Sequence, residues 1–198
     1  SAMLNLCKKE DCDFLEAKLR RLMDEYGVDG FKLDGGNICA YNPQRIANGP
    51  QTKYSPAELN IAWNDFGARF EHHEYKDTFK GGGKPTVQRL MDRGHRWEKD
   101  GINTIVPNSL VQGILGHPFI CPDMIGGGEW SYNVKPGFHI DEELFIRMAQ
   151  ASVFFPMMQF SWAPWNNLSK EMCELCLRAA RLHGAFGDRI VSLVSECM

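Results

Sequence analysis

Three apolar runs of this sequence end on a carboxylate and continue into glycine: GVDGFKLD at Asp34, before Gly35-Gly36; PTVQRLMD at Asp92, before Arg93-Gly94; and HPFICPD at Asp123, before Met124-Ile125-Gly126-Gly127-Gly128. A single strand ending in Asp reads as turn or capping chemistry. Three such ends, with Lys32, Arg89 and Arg93 beside them, read as an acidic site. At the mouth of a β/α barrel, two facing carboxylates are equipped for glycoside hydrolysis, one ionised and one carrying a proton. Glycine after each aspartate allows a sharp turn and leaves room for a ligand.

Such a site requires strands that share a direction, and the order of elements supplies them. Residues 11–26 space Phe14, Leu15, Leu19 and Leu22 as a helix does. GVDGFKLD follows as a strand. SPAELNIAWNDFGARF opens with Ser55, Pro56 and Glu58, the signature of a capped helix start. FEHHEYKDTFKGGG holds a candidate short strand. PTVQRLMD reads as strand, DGINTIVPNSLVQGIL as helix despite Pro107, and HPFICPD as strand. IDEELFIRMAQAS reads as helix, SVFFPMMQFS as strand and NLSKEMCELCLRAARLH as helix. Strands alternating with helices predict a parallel α/β sheet, doubly wound or closed as a barrel, where reactive groups sit at the C-terminal strand ends.

Composition narrows the classes. The 198 residues carry a formal net charge of -3, so there is no basic footprint for nucleic acid. No apolar run approaches the ~20 residues of a membrane span, and the first residues lack a signal-peptide pattern. The sequon Asn167-Leu168-Ser169 leans toward a secretory or endomembrane lumen. Cys173 and Cys176 form a CxxC within a helical pattern without a second pair, so two half-buried helix residues are expected there rather than a zinc site. FKGGGKPT fails the phosphate-loop pattern twice, at Thr78 and at Pro85. His72-His73 on a strand would point to opposite faces, giving one metal ligand at most. No metal and no cofactor are expected.

The four ordered segments resemble glycoside hydrolase family 31, the α-glucosidase family. GVDGFKLDGG is similar to its nucleophile segment on strand four, QRLMDRGHRW to its acid/base segment after strand six, HPFICPDMIGGG to its strand-seven segment, and IRMAQASVFFPMMQFSWAPW to the helix and strand eight. LMDRGHRW, CPDMIGGG and MQFSWAPW resemble most the myogenesis-regulating glycosidase subgroup. The resemblance implies a (β/α)8 barrel of which residues 1–198 hold the C-terminal part, about strands 4–8, with the missing half supplied by the rest of a parent chain. It implies a retaining α-glycosidase acting on α-glucosides or α-galactosides, with Asp34 as nucleophile and Asp92 as acid/base, their carboxyl groups ~5–5.5 Å apart. Lys32, Arg89, Asp123 and Trp162 are the expected carbohydrate contacts, with Trp165 as an alternative aromatic face.

Asp100 competes with Asp92, because a Trp-x-x-Asp spacing from Trp97 also occurs in the family's acid/base motif. Placing Asp100 at a helix start, as an N-terminal cap, assigns it a structural role and leaves the chemistry to Asp92. Two departures touch the sugar subsite: Asn37 stands where much of the family has glutamate, and strand eight lacks the usual histidine. A different class, a non-catalytic carbohydrate-binding or interaction protein with a degenerate barrel, would keep Asp123 and the aromatics without needing an activated carboxylate pair.

Overall fold

The structure is a computed structural model that describes residues 4–41, 53–129 and 136–197. It divides into two compact units, Ser1–Gln88 and Arg89–Met198.

The first unit begins with helix α1 (Lys9–Tyr26), stopped by Gly27 at φ 66°, whose N–H returns to the Met23 carbonyl. Only glycine adopts that left-handed cap without penalty. Strand β1 (Gly30–Leu33) follows, then a 3₁₀ turn (Ile38–Tyr41). Helix α2 (Pro56–Gly67) starts as the sequence predicts: Ser55 Oγ accepts the Glu58 N–H, and the Glu58 side chain accepts the Ser55 N–H. FEHHEYKDTFKGGG does hold a strand, β2 (His72–Tyr75), and β3 (Val87–Arg89) closes the unit at Gln88.

The strands run parallel. Gly30 to Leu33 pair with His72 to Tyr75, and Glu74 and Tyr75 pair with Val87 and Gln88. Leu33, Tyr75 and Gln88 are therefore level, and the three strands end on one side. Phe66 and Phe70 are buried with Leu6 and Cys12, while Leu15, Leu19, Met23 and Phe31 pack against them. Of the four apolar positions that the sequence marks on α1, Leu15 and Leu19 lie on this face, whereas Phe14 and Leu22 are exposed and Met23 takes the inner place, because the buried stripe follows the row Leu15, Leu19, Met23.

In the second unit β4 (Ile120–Cys121) lies against the chain at Leu90, whose N–H donates to the Cys121 carbonyl at 3.0 Å. A 3₁₀ turn (Ile102–Thr104) leads into α3 (Ile105–Ile114). Pro107 lies in the first turn of α3, where its missing N–H would have had no helical partner. Next come α4 (Glu142–Ser152), the single turn α5 (Pro164–Asn167), α6 (Lys170–Ala185) and α7 (Gly187–Glu196). The core gathers Ile105, Ile125, Leu144, Phe145, Met148 and Val153 with Cys176 and Ala179 of α6.

SVFFPMMQFS is not the strand its composition predicts. Residues 153–155 instead turn off the end of α4, the Val153 N–H reaching the Gln150 carbonyl and the Phe155 N–H the Ser152 carbonyl. Pro156 can donate to no ladder. One parallel bridge survives, Ile125 with Phe160. The two other aspartate-ending runs pair over shorter stretches than their apolar lengths suggest, so Asp92 and Asp123 lie in the loops beyond β3 and β4. Helix α7, unpredicted, buries only Val194, and so little core contact leaves a weak periodic signal. Among the described residues no helix is long and apolar enough to cross a membrane.

Candidate functional site

The candidate residues fall in both units, and each group has its own local construction. In the first, Asp34 leaves the end of β1 exposed to solvent, its Oδ1 accepting the N–H of Gly35 at 2.9 Å. Gly35 and Gly36 both take positive φ, 79° and 71°. At Gly36 the reason is also steric: a Cβ there would fall 2.3 Å from Cδ1 of Trp63. The Gly36 carbonyl is held by the amide of the fully buried Asn60 at 2.6 Å. The chain is thus bent immediately after the carboxylate and tied to α2.

Lys32 faces β2, where the register sets it opposite Glu74. Its Nζ lies 3.6 Å from Oε1 of Glu74, a carboxylate buried in the sheet. Glu74 is a charged residue of this region that sequence reasoning missed. It sits in HHEY, a short strand without a clear apolar pattern.

In the second unit the structure brings together Arg89, Asp92 and Asp123. The Arg89 guanidinium, 2% exposed, donates to Asp92 Oδ1 at 2.7 Å and to Asp123 Oδ1 at 3.2 Å. Asp123 Oδ2 accepts the backbone N–H of Arg93 at 2.8 Å. Burial pushes the Asp123 carboxyl above its usual range, against the pull of the Arg93 and Met124 N–H groups and the nearby guanidiniums. Asp123 adopts φ 70°, uncommon outside glycine. Gly128 completes the cradle, since a Cβ on it would stand within 2.9 Å of both Asp123 oxygens. The Arg93 side chain is buried beside this group, and burial lowers its basicity while the Asp123 charge supports it.

The loop after Asp92 is closed on itself: Gly94 N–H donates to the Asp100 carbonyl at 3.0 Å and Ile102 N–H to the Arg96 carbonyl at 3.1 Å. The capping role expected of Asp100 is absent. Gly101 occupies the cap position of the 3₁₀ turn, neither it nor Thr104 before α3 makes a side-chain cap bond, and Asp100 itself is exposed with φ 60°. A left-handed aspartate in a tight loop is strained rather than capped, which removes the ground for treating it as structural.

Trp162 stacks on Phe138, centroids 6.1 Å apart and planes 20° apart, with its Cδ1 against Gly126. Together with Phe160, Pro164, Trp165 and Leu177 it lines a cavity of about 520 Å³. On α6, Cys173 and Cys176 are free thiols, and burial pushes Cys176 up to about 11. Among the described residues no group of three or more His, Cys, Asp or Glu is placed to hold a metal ion.

No family model matches the chain. It is 31% identical over 174 residues to a mouse (Mus musculus) protein, the myogenesis-regulating glycosidase, the match covering 83% of this chain and 24% of the relative. It is 38% identical over 81 residues to the SITS-binding protein of Tetronarce californica, covering 41% of this chain and 11% of that protein. Among solved structures, a sulfoquinovosidase of glycoside hydrolase family 31 from E. rectale, in complex with an aza-sugar inhibitor, superposes with TM-score 0.67 at 20% identity, over 98% of this chain and 31% of its own. The resemblance to glycoside hydrolase family 31 holds.

An uncharacterized protein from Listeria monocytogenes EGD-e superposes equally well, TM-score 0.67 at 17% identity, over 98% of this chain and 19% of its own. The architecture is therefore α/β with a parallel sheet, a partial barrel of the family 31 type. The chain spans 24% of the length of the glycosidase that it matches and 31% of the sulfoquinovosidase.

Proposed function

We propose that this chain is the C-terminal part of the catalytic barrel of a retaining α-glycosidase of glycoside hydrolase family 31, acting on α-glucosides or α-galactosides. The observation that carries the reading is the exposed Asp34, set one residue beyond a parallel strand and bent clear by two positive-φ glycines. Asp34 attacks the anomeric carbon and forms a glycosyl-enzyme as the aglycone oxygen departs with a proton from Asp92. Asp92, now a base, takes a proton from water, which displaces Asp34 and releases the sugar. Arg89 and Asp123 hold sugar hydroxyls, with Lys32 and Trp162 as flanking contacts, and the rest of a parent chain supplies the remaining strands.

A second reading gives the acid/base role to Asp100. The Arg89 guanidinium binds Asp92 from a buried position at 2.7 Å, and such a partner favours the anion, whereas a proton donor must begin neutral. Asp100 is exposed, strained and without a cap to make.

Trapping tests the main claim without requiring full turnover. An activated 2-deoxy-2-fluoro α-glycosyl fluoride, glucosyl or galactosyl, is expected to label Asp34, seen as a mass shift of the peptide that contains it. Labelling at another residue would overturn Asp34 as the nucleophile, and retained sugar binding with no labelling and no effect of Asp34→Ala would establish the non-catalytic alternative instead.

A further inference from the structure

The loop between Asp92 and Asp100 carries Trp97, a residue 44% exposed although its polar edge is fixed. The indole Nε1–H donates to Asp141 Oδ2 at 2.8 Å. The other oxygen of that carboxylate accepts the Leu144 N–H at 3.0 Å and so caps α4. The Asp141 backbone N–H donates to Nε2 of the buried His95 at 2.9 Å. One residue thus holds the loop at two points, His95 and Trp97, from the rigid first turn of a helix. The opposite flank is tied by the Glu129 N–H to the Arg93 carbonyl at 2.9 Å and by the Arg96–Glu129 ion pair.

We propose that Asp141 is a positioning residue: by gripping the indole N–H it fixes the plane of Trp97, on the loop that runs from Asp92 to Asp100, as a platform for the apolar face of a sugar. The inference rests on the carbohydrate reading above. An aromatic needed only for packing would bury its faces. Here the N–H edge is anchored to a carboxylate while much of the ring stays open, the arrangement suited to a ligand with an apolar face. The anchor is ionic: hydrogen bonds from the backbone and from Trp97 hold the Asp141 carboxyl below its ordinary range. A charge-assisted bond of this kind is about twice as strong as a neutral one.

The test separates the grip from the cap. Asp141→Asn can keep capping Leu144 through its oxygen, but its amide then presents donors to the indole donor. Asp141→Ser caps without reaching Trp97. In the ¹⁵N-labelled chain, with the Trp97 indole signal assigned from Trp97→Phe, both variants should leave the fold intact and move that signal, and its exchange with solvent should rise ~10-fold or more. Methyl α-D-galactopyranoside and methyl α-D-glucopyranoside are the probes. At least one is expected to perturb the Trp97 signal of the wild-type chain, at lower concentration than in either variant.

An indole signal indifferent to both Asp141 variants overturns the proposal. If both variants unfold, Trp97→Phe decides: it keeps an aromatic ring and the cap but loses the bond, and wild-type sugar affinity in it is equally fatal. Sugars that move signals around Asp34 but not Trp97 overturn the platform alone. Sugars that move no signal overturn the carbohydrate reading with it.

Discussion

Arg89 and Asp123 form an ion pair at 3.2 Å in which neither side chain is more than 2% exposed. Two buried charges repay their desolvation only together, and removing one partner strands the other. Arg89→Met is expected to cost ~3–5 kcal/mol of folding stability, read from urea denaturation. A loss under ~1 kcal/mol would show that Asp123 does not depend on this partner.

The same guanidinium bears on the acid/base question. With an aryl α-glycoside of the preferred sugar and the complete parent enzyme, the variant that removes the acid should lose ~10²–10⁴-fold with poor leaving groups and much less with 2,4-dinitrophenyl glycosides. Azide should then restore turnover to that variant. That pattern for Asp92→Ala supports the first assignment, and for Asp100→Ala the second. In the second case Asp92→Ala should instead raise KM, because Arg89 loses a partner beside bound sugar.

Gly126 sits at φ 97° with its missing side chain aimed at Phe145, Ser161 and Trp162, all within 2.7 Å of where a Cβ would be. Gly126→Ala combines backbone strain with overpacking and should cost ~3 kcal/mol. Thermal unfolding of the variant measures it, and a Tm unchanged within 2–3 °C would contradict the packing described.

Burial lowers the basicity of three histidines, His73, His95 and His117, below the ordinary 6.5. Near that pH and below it the unfolded chain binds more protons than the folded one, so stability rises with pH through this window and is lost as pH falls below about 6.5. Asp123 has the opposite sign. Its raised carboxyl weakens the fold at neutral pH and recovers that loss as it takes up a proton on acidification. Urea midpoints measured from pH 7.5 down to 5 should decline, and His117→Gln should flatten the decline.

Local pattern determined much of this protein. The helix over residues 11–26 with Leu15 and Leu19 inward, the Ser55–Glu58 box and the glycines after Asp34 each describe chemistry within a few residues and are present as the sequence implies, although Phe14 and Leu22 of the same helix face outward. The family resemblance was legible for the same reason: its motifs are short, contiguous and in order. SVFFPMMQFS misled because β-propensity describes a side chain's fit to a pleated surface, whereas a strand needs a partner, and Pro156 and the end of α4 leave only Phe160 paired. Tertiary structure alone decided that Arg89 binds Asp92 and Asp123 together, that Lys32 answers Glu74, that Asp100 caps nothing, and that Asp141 grips Trp97. Except for the Arg89–Asp92 contact within one turn of chain, these pairings join residues tens of positions apart or depend on where a loop closes. Their energies come from burial and hydrogen-bond geometry, which no stretch of sequence contains until the chain has folded.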